Sequence, residues 1–120
     1  MIEELVSRVF YARNVAHVEH WTASGVGGYA RHKALGKFYE EVIEALDTLV
    51  EAYQGAFELI GAVQAPKTKA NDILLILIED AEWVEKNHEK ICKGNRAVAN
   101  LLDGVTGVYL STIYKLKNLM

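Results

Sequence analysis

The chain has 120 residues, 51% of them hydrophobic and 24% charged, with a formal net charge of −3. That is long enough to bury one core and ordinary enough to read residues 1–120 as a single globular domain. The weakly acidic balance excludes nucleic-acid binding through bulk charge, and the longest continuous apolar run, Ile73 to Ile78, is too short to cross a bilayer. No secretory hydrophobic segment opens the chain, which starts Met1-Ile2-Glu3-Glu4-Leu5 with no basic tail. The single cysteine, Cys92, excludes an intrachain disulfide and fits a reducing cytosol. Beside a reactive thiol stands the plainer reading of Cys92 as a small buried apolar residue.

Leu5, Val9, Ala12, Ala16 and His20 recur at three- and four-residue steps, and Val6, Phe10, His17 and Trp21 widen that stripe. The spacing predicts a helix over about 2–22. Ser24-Gly25-Val26-Gly27-Gly28 ends it. No strand precedes these glycines, so they read as a helix-to-helix turn and not a dinucleotide-binding loop.

The next segment, about 29–60, keeps helical spacing through His32, Leu35, Tyr39, Val42, Ile43, Leu46, Val50, Tyr53 and Phe57. On a helical wheel His32, Ile43 and Val50 nearly coincide, while Asp47 and Glu51 fall about 60° and about 100° to one side. A link of about eight residues follows, with Pro66 and a cap expected at Thr68.

A third helix is predicted over about 70–92. Its opening, Ile73-Leu74-Leu75-Ile76-Leu77-Ile78, is apolar all round, and Ala81, Val84, His88 and Ile91 continue it at helical spacing. A helix buried on more than one side predicts contact beyond its own bundle, read as subunit packing. Gly94-Asn95 reads as a C-cap followed by an N-cap. Val98, Leu102, Val105, Tyr109, Thr112, Leu116 and Leu119 then alternate steps of four and three. Lys115 and Lys117 complement the dipole of this last helix. Gly104 and Gly107 weaken it locally and leave room for a close neighbour. Four helices with short links predict an all-α, antiparallel four-helix bundle.

His20 and His32 stand twelve residues apart, and Asp47 and Glu51 follow one helical turn from each other. All four are types that bind iron or zinc. On one helix His32 and Asp47 would be separated by roughly 22 Å, which no single ion spans within a chain. Either the residues are unrelated or a second copy completes the site. His17 and His20 also lie one turn apart. An intrachain di-iron bundle would need two Glu-x-x-His pairs; only Glu85-Lys86-Asn87-His88 is present. For any single helical histidine, a packed or hydrogen-bonded side chain is the plain alternative.

Ala16-His17-Val18-Glu19-His20-Trp21, the glycine turn, His32, Phe38-Tyr39-Glu40-Glu41 and the Asp47/Glu51 pair together resemble the Dps miniferritins. These are ferritin-like proteins that oxidise iron. The likeness covers about residues 10–60. It implies a ferritin-like fold and a metal site between two-fold-related subunits, His20 and His32 of one chain facing Asp47 and Glu51 of the other. It also implies oxidation of Fe(II), commonly by peroxide, with Trp21 beside the iron as an electron donor; a core position at the bundle end is the plain role for Trp21. Zinc is the alternative metal, and a homodimer or higher oligomer the implied assembly. Three departures stand out. Gly36 occupies the position where the family usually has an acid, with Glu40 one turn on. The link after the second helix is short. The lysine-rich tail used on DNA is missing, so no DNA binding is expected. The competing reading is a non-enzymatic helical oligomer, structural or accessory to a phage particle, with weak or no metal binding.

Overall fold

The computed structural model describes residues 1–66 and 71–120. It contains four helices: α1 (Ile2–Thr22), α2 (Gly28–Ala56), α3 (Ile73–Cys92) and α4 (Arg96–Asn118). The cap expected at Thr68 lies outside the described residues. Asp72 caps α3 instead, its carboxylate accepting from the Leu74 and Leu75 amides at 3.0 and 3.4 Å. Asn95 caps α4 as expected, accepting from Val98 N at 3.0 Å. The turn before it takes two left-handed residues, Lys93 (φ 51°) and Gly94 (φ 79°).

The packed pairs are α1 with α2, α2 with α4, α4 with α3, and α3 with α1. Contacts at the two ends give the direction of each helix. Lys93 Nζ, at the close of α3, donates to Tyr53 Oη near the close of α2 (3.0 Å). Met120, after α4, lies against Gly27, before α2. Every packed pair is therefore antiparallel, but α2 and α3, consecutive in the chain, run the same way on opposite corners.

This corrects the short link expected from the sequence. Helix α2 stops at Ala56, where Phe57 leaves helical angles (φ −126°, ψ −86°) and the Gln54 side chain accepts from Ile60 N at 3.1 Å. The connection thus spans residues 57–72, about twice the expected length. Its described part up to Pro66 runs back along α1: Gly61 N donates to Glu3 Oε2 at 2.7 Å, and Gln64, Ala65 and Pro66 border a cavity with Ser7 and Arg8. A long connection between the second and third helices is what lets them run the same way within a four-helix bundle.

Leu5 and Val9, Phe38 and Leu46, Ile76 and Leu77, and Leu102 and Val105 are all fully or nearly fully buried. Each such side chain contributes about 1.5–3 kcal/mol by leaving water. Ile73 and Cys92 are buried too, while Leu75 is 46% exposed, so the apolar opening of α3 keeps one side bare. Burial pushes the Cys92 thiol up to about 11, in line with its reading as a packed apolar residue.

One polar group sits inside this core. Asp80 on α3 accepts from Arg8 Nη1 of α1 at 3.0 Å and from Tyr109 Oη of α4 at 2.9 Å. The Tyr109 ring meets Phe38 of α2 edge-on at 5.2 Å, so the node touches all four helices. Arg8 also lies over the Trp83 ring at 4.8 Å. Burial pushes the Asp80 carboxyl from 3.8 up to about 6, although Tyr109 and Arg8 both pull it down. A raised folded-state value favours the neutral acid in the fold. Its stabilising contribution is therefore full below about 4 and is lost as pH climbs through about 6. Tyr109→Phe removes a donor that favours the charged form. Urea unfolding should show a loss of about 1–3 kcal/mol at pH 7.5 and a smaller loss at pH 5; an equal loss at both would mean that Tyr109 does not act through the Asp80 charge.

Candidate functional site

The glycine turn folds α2 back along α1 and sets the last turn of one beside the first turns of the other. Gly25 and Gly27 have φ of 74° and 78°, a region open to glycine at no steric cost. Across this junction His20 and His32 are crossed. His20 Nδ1 meets the His32 carbonyl at 2.7 Å, and His32 Nδ1 meets the His20 carbonyl at 2.8 Å. The rings stack with centroids 3.8 Å apart and planes within 17°.

A carbonyl only accepts, so each Nδ1 must carry the proton. In the neutral ring that leaves the Nε2 lone pair of both histidines free. Among the described residues neither Nε2 has a hydrogen-bond partner. Two backbone carbonyls thus select one tautomer twice over, the arrangement that orients metal-binding imidazoles. The His20 carbonyl lies in the last turn of α1, where the helix ladder leaves acceptors unused; His32 serves one of them.

The same crossing accounts for Gly36. To reach the His32 carbonyl, the His20 ring must lie over the next turn of α2. A Cβ at Gly36 would sit 2.9 Å from His20 Cε1 and 3.0 Å from Nδ1. The place of an acid is therefore taken by an imidazole ring. Glu40, one turn on, is exposed and shares with His20, His32, Tyr39 and Lys115 the lining of an open pocket of about 530 Å³.

The one-turn neighbours His17 and His20 do not work together, their rings being 6.4 Å apart and tilted by 55°. His17 is instead stacked on Tyr39 at 4.1 Å and against Trp21 at 4.3 Å. Trp21 is 66% exposed, so it is not the bundle-end core residue that its spacing allowed. The Glu85/His88 pair does not form a centre either. His88 Nε2 is taken up by Asp103 Oδ1 at 2.8 Å, a contact that sequence spacing could not suggest because its partner lies on α4.

Asp47 and Glu51 are exposed on α2 and have no hydrogen bond or ion pair among the described residues. No group of three His, Cys, Asp or Glu able to hold a metal ion occurs among those residues. The donor set of one chain is thus two oriented imidazoles in one place and two free carboxylates farther along the same helix. Imidazole nitrogens of this kind are donors that suit zinc or ferrous iron, and no third His, Cys, Asp or Glu groups with them among the described residues.

Gly36→Ala tests the crossing. In an ordinary helix interior this change stabilises by about 1 kcal/mol; here it should destabilise. Placed in a His20→Ala background it should recover its normal stabilising sign, a non-additivity read by thermal or urea unfolding. A stabilising Gly36→Ala in the wild-type chain would contradict the ring placement.

No helix among the described residues is long and apolar enough to cross a membrane. No curated protein and no solved structure matches the chain. Residues 20–116 match a family described as a family of unknown function, DUF5856. The match begins at His20 and takes in His32, Asp47 and Glu51. As it covers most of the chain, the protein belongs to the DUF5856 family.

Proposed function

We propose that the protein binds iron or zinc at a site shared by two copies, His20 and His32 of one facing Asp47 and Glu51 of the other, and that Fe(II) is oxidised there. The observation that carries this reading is the crossed hydrogen bonding, which leaves two Nε2 lone pairs free while no third His, Cys, Asp or Glu groups with them among the described residues. Two α2 helices packed antiparallel bring the start of each against the middle of the other, and the two-fold gives two equivalent sites per dimer. The resemblance to Dps miniferritins supports the same pairing.

Fe(II) is substrate in this scheme. Two ferrous ions each give one electron to peroxide, which takes up two protons and leaves as two waters. The carboxylates would offset the charge of the ferric product, and the imidazoles would hold the ferrous ion before transfer. Trp21, exposed and against the His17 ring, would supply an electron, the role that the resemblance implies for it. The single protonated thiol fits a cytoplasmic setting.

Anaerobic Fe(II) loading followed by peroxide should give ferric absorbance at a rate well above that of the His20→Ala/His32→Ala chain; equal rates would remove the oxidase claim. Shared ligands have their own signature. His32→Ala and Asp47→Ala chains, each defective alone, should recover part of their metal binding when mixed, because heterodimers rebuild one intact site. No recovery would contradict a site between copies.

A second reading has one observation in its favour. The His20 ring fills the space over Gly36, so no acid stands there. On this reading the protein is a non-enzymatic helical oligomer that binds metal weakly or not at all. Zinc calorimetry on the wild-type chain separates the two, since only the first requires binding that His20→Ala abolishes.

A further inference from the structure

Helix α4 carries two stripes. The buried one, which includes Leu102, Val105, Tyr109 and Leu116, faces the core. The other is wholly exposed: Asp103, Gly107, Leu110, Tyr114 and Lys117, again at steps of four, three, four and three. That spacing is the seam of a helix pair, yet nothing in the bundle covers it. Leu110 is 53% exposed and Tyr114 is 56% exposed. A Cβ at Gly107 would meet nothing within 4 Å.

The stripe is complementary to itself when reversed. Asp103 and Lys117 lie equally far from Leu110, with opposite charge. Small residues, Thr106 and Gly107, stand as far to one side of Leu110 as Ile113 and Tyr114 stand to the other. A two-fold axis through Leu110 therefore sets Leu110 against its own copy, Tyr114 over the low surface at Thr106 and Gly107, and Asp103 opposite Lys117 of the second copy. An interface made of one surface meeting itself must have this property, and a stripe that served an unrelated partner has no reason to.

We propose that α4 pairs with α4 of a second copy, antiparallel and centred on Leu110. The occupant is the chain itself, and the pairing is independent of the α2-centred metal site. Because α2 and α4 are different corners of the bundle, the two interfaces can exist together and build an assembly larger than a dimer.

Sedimentation equilibrium of the full chain without metal, across a concentration series, tests this. Lys117→Glu sets acid against acid twice per dimer and should weaken self-association about tenfold or more. Asp103→Lys should do the same with the opposite sign. The Asp103→Lys/Lys117→Glu double variant should return close to wild type. Asp103 also accepts from His88, so His88→Ala is the control for loss of that intrachain bond and should leave association unchanged. Circular dichroism confirms that each variant is folded. His32→Ala and Asp47→Ala should not affect the metal-free equilibrium, which separates failure here from failure of the metal site. A monomer at all concentrations, single reversals without effect, or a double variant as weak as either single would overturn the proposal.

Discussion

Two backbone carbonyls and two imidazoles constrain the end of this bundle where α1 turns into α2. Each histidine spends its Nδ1 proton on the other's main chain, so the pair couples the last turn of α1 to the start of α2. Three consequences follow. In the neutral ring the proton is fixed on Nδ1, the rings are stacked face to face, and a side chain at Gly36 would meet the His20 ring. A hydrogen bond of this kind contributes only about 0.5–1.5 kcal/mol net. Its larger effect is geometric, since it fixes the direction in which each Nε2 points.

A second constraint lies deeper. Asp80 is a buried acid satisfied by Arg8 and Tyr109, and the three residues come from α3, α1 and α4. Such a node is costly if any partner is lost, because the remaining groups are stranded away from water. It ties three helices in one register and, through the Tyr109 ring on Phe38, touches the fourth. The bundle end with the histidines can then be open, because the register is set elsewhere.

The helices were legible because their signals are local. Apolar spacing marked α1 to its ends, Asn95 announced the start of α4, and the glycines announced the turn before α2. Topology was less legible. Nothing local in Phe57 to Ile60 says that the helix has stopped, and the long return is held by Glu3, distant in sequence, on Gly61. The histidines were found by residue type and spacing, but their crossing was not, because it depends on carbonyls that sequence does not distinguish. Gly36 read as a lost ligand; in the fold it is the space that the His20 ring requires. His17 and Trp21 read as a widening of the apolar stripe; in the fold they form an aromatic stack with Tyr39, and Trp21 is exposed.

The account rests most directly on the protonation pattern of the two rings and on what their free nitrogens bind. Long-range proton–nitrogen NMR of the histidine side chains, at a pH where both rings are neutral, reads the tautomer of each ring, and added Zn(II) reports on ligation. Both rings should carry the proton on Nδ1, and zinc should shift the Nε2 resonances of His20 and His32 while leaving those of His17 and His88 in place. A proton on Nε2 of either His20 or His32, or zinc that moves neither resonance, would contradict the account.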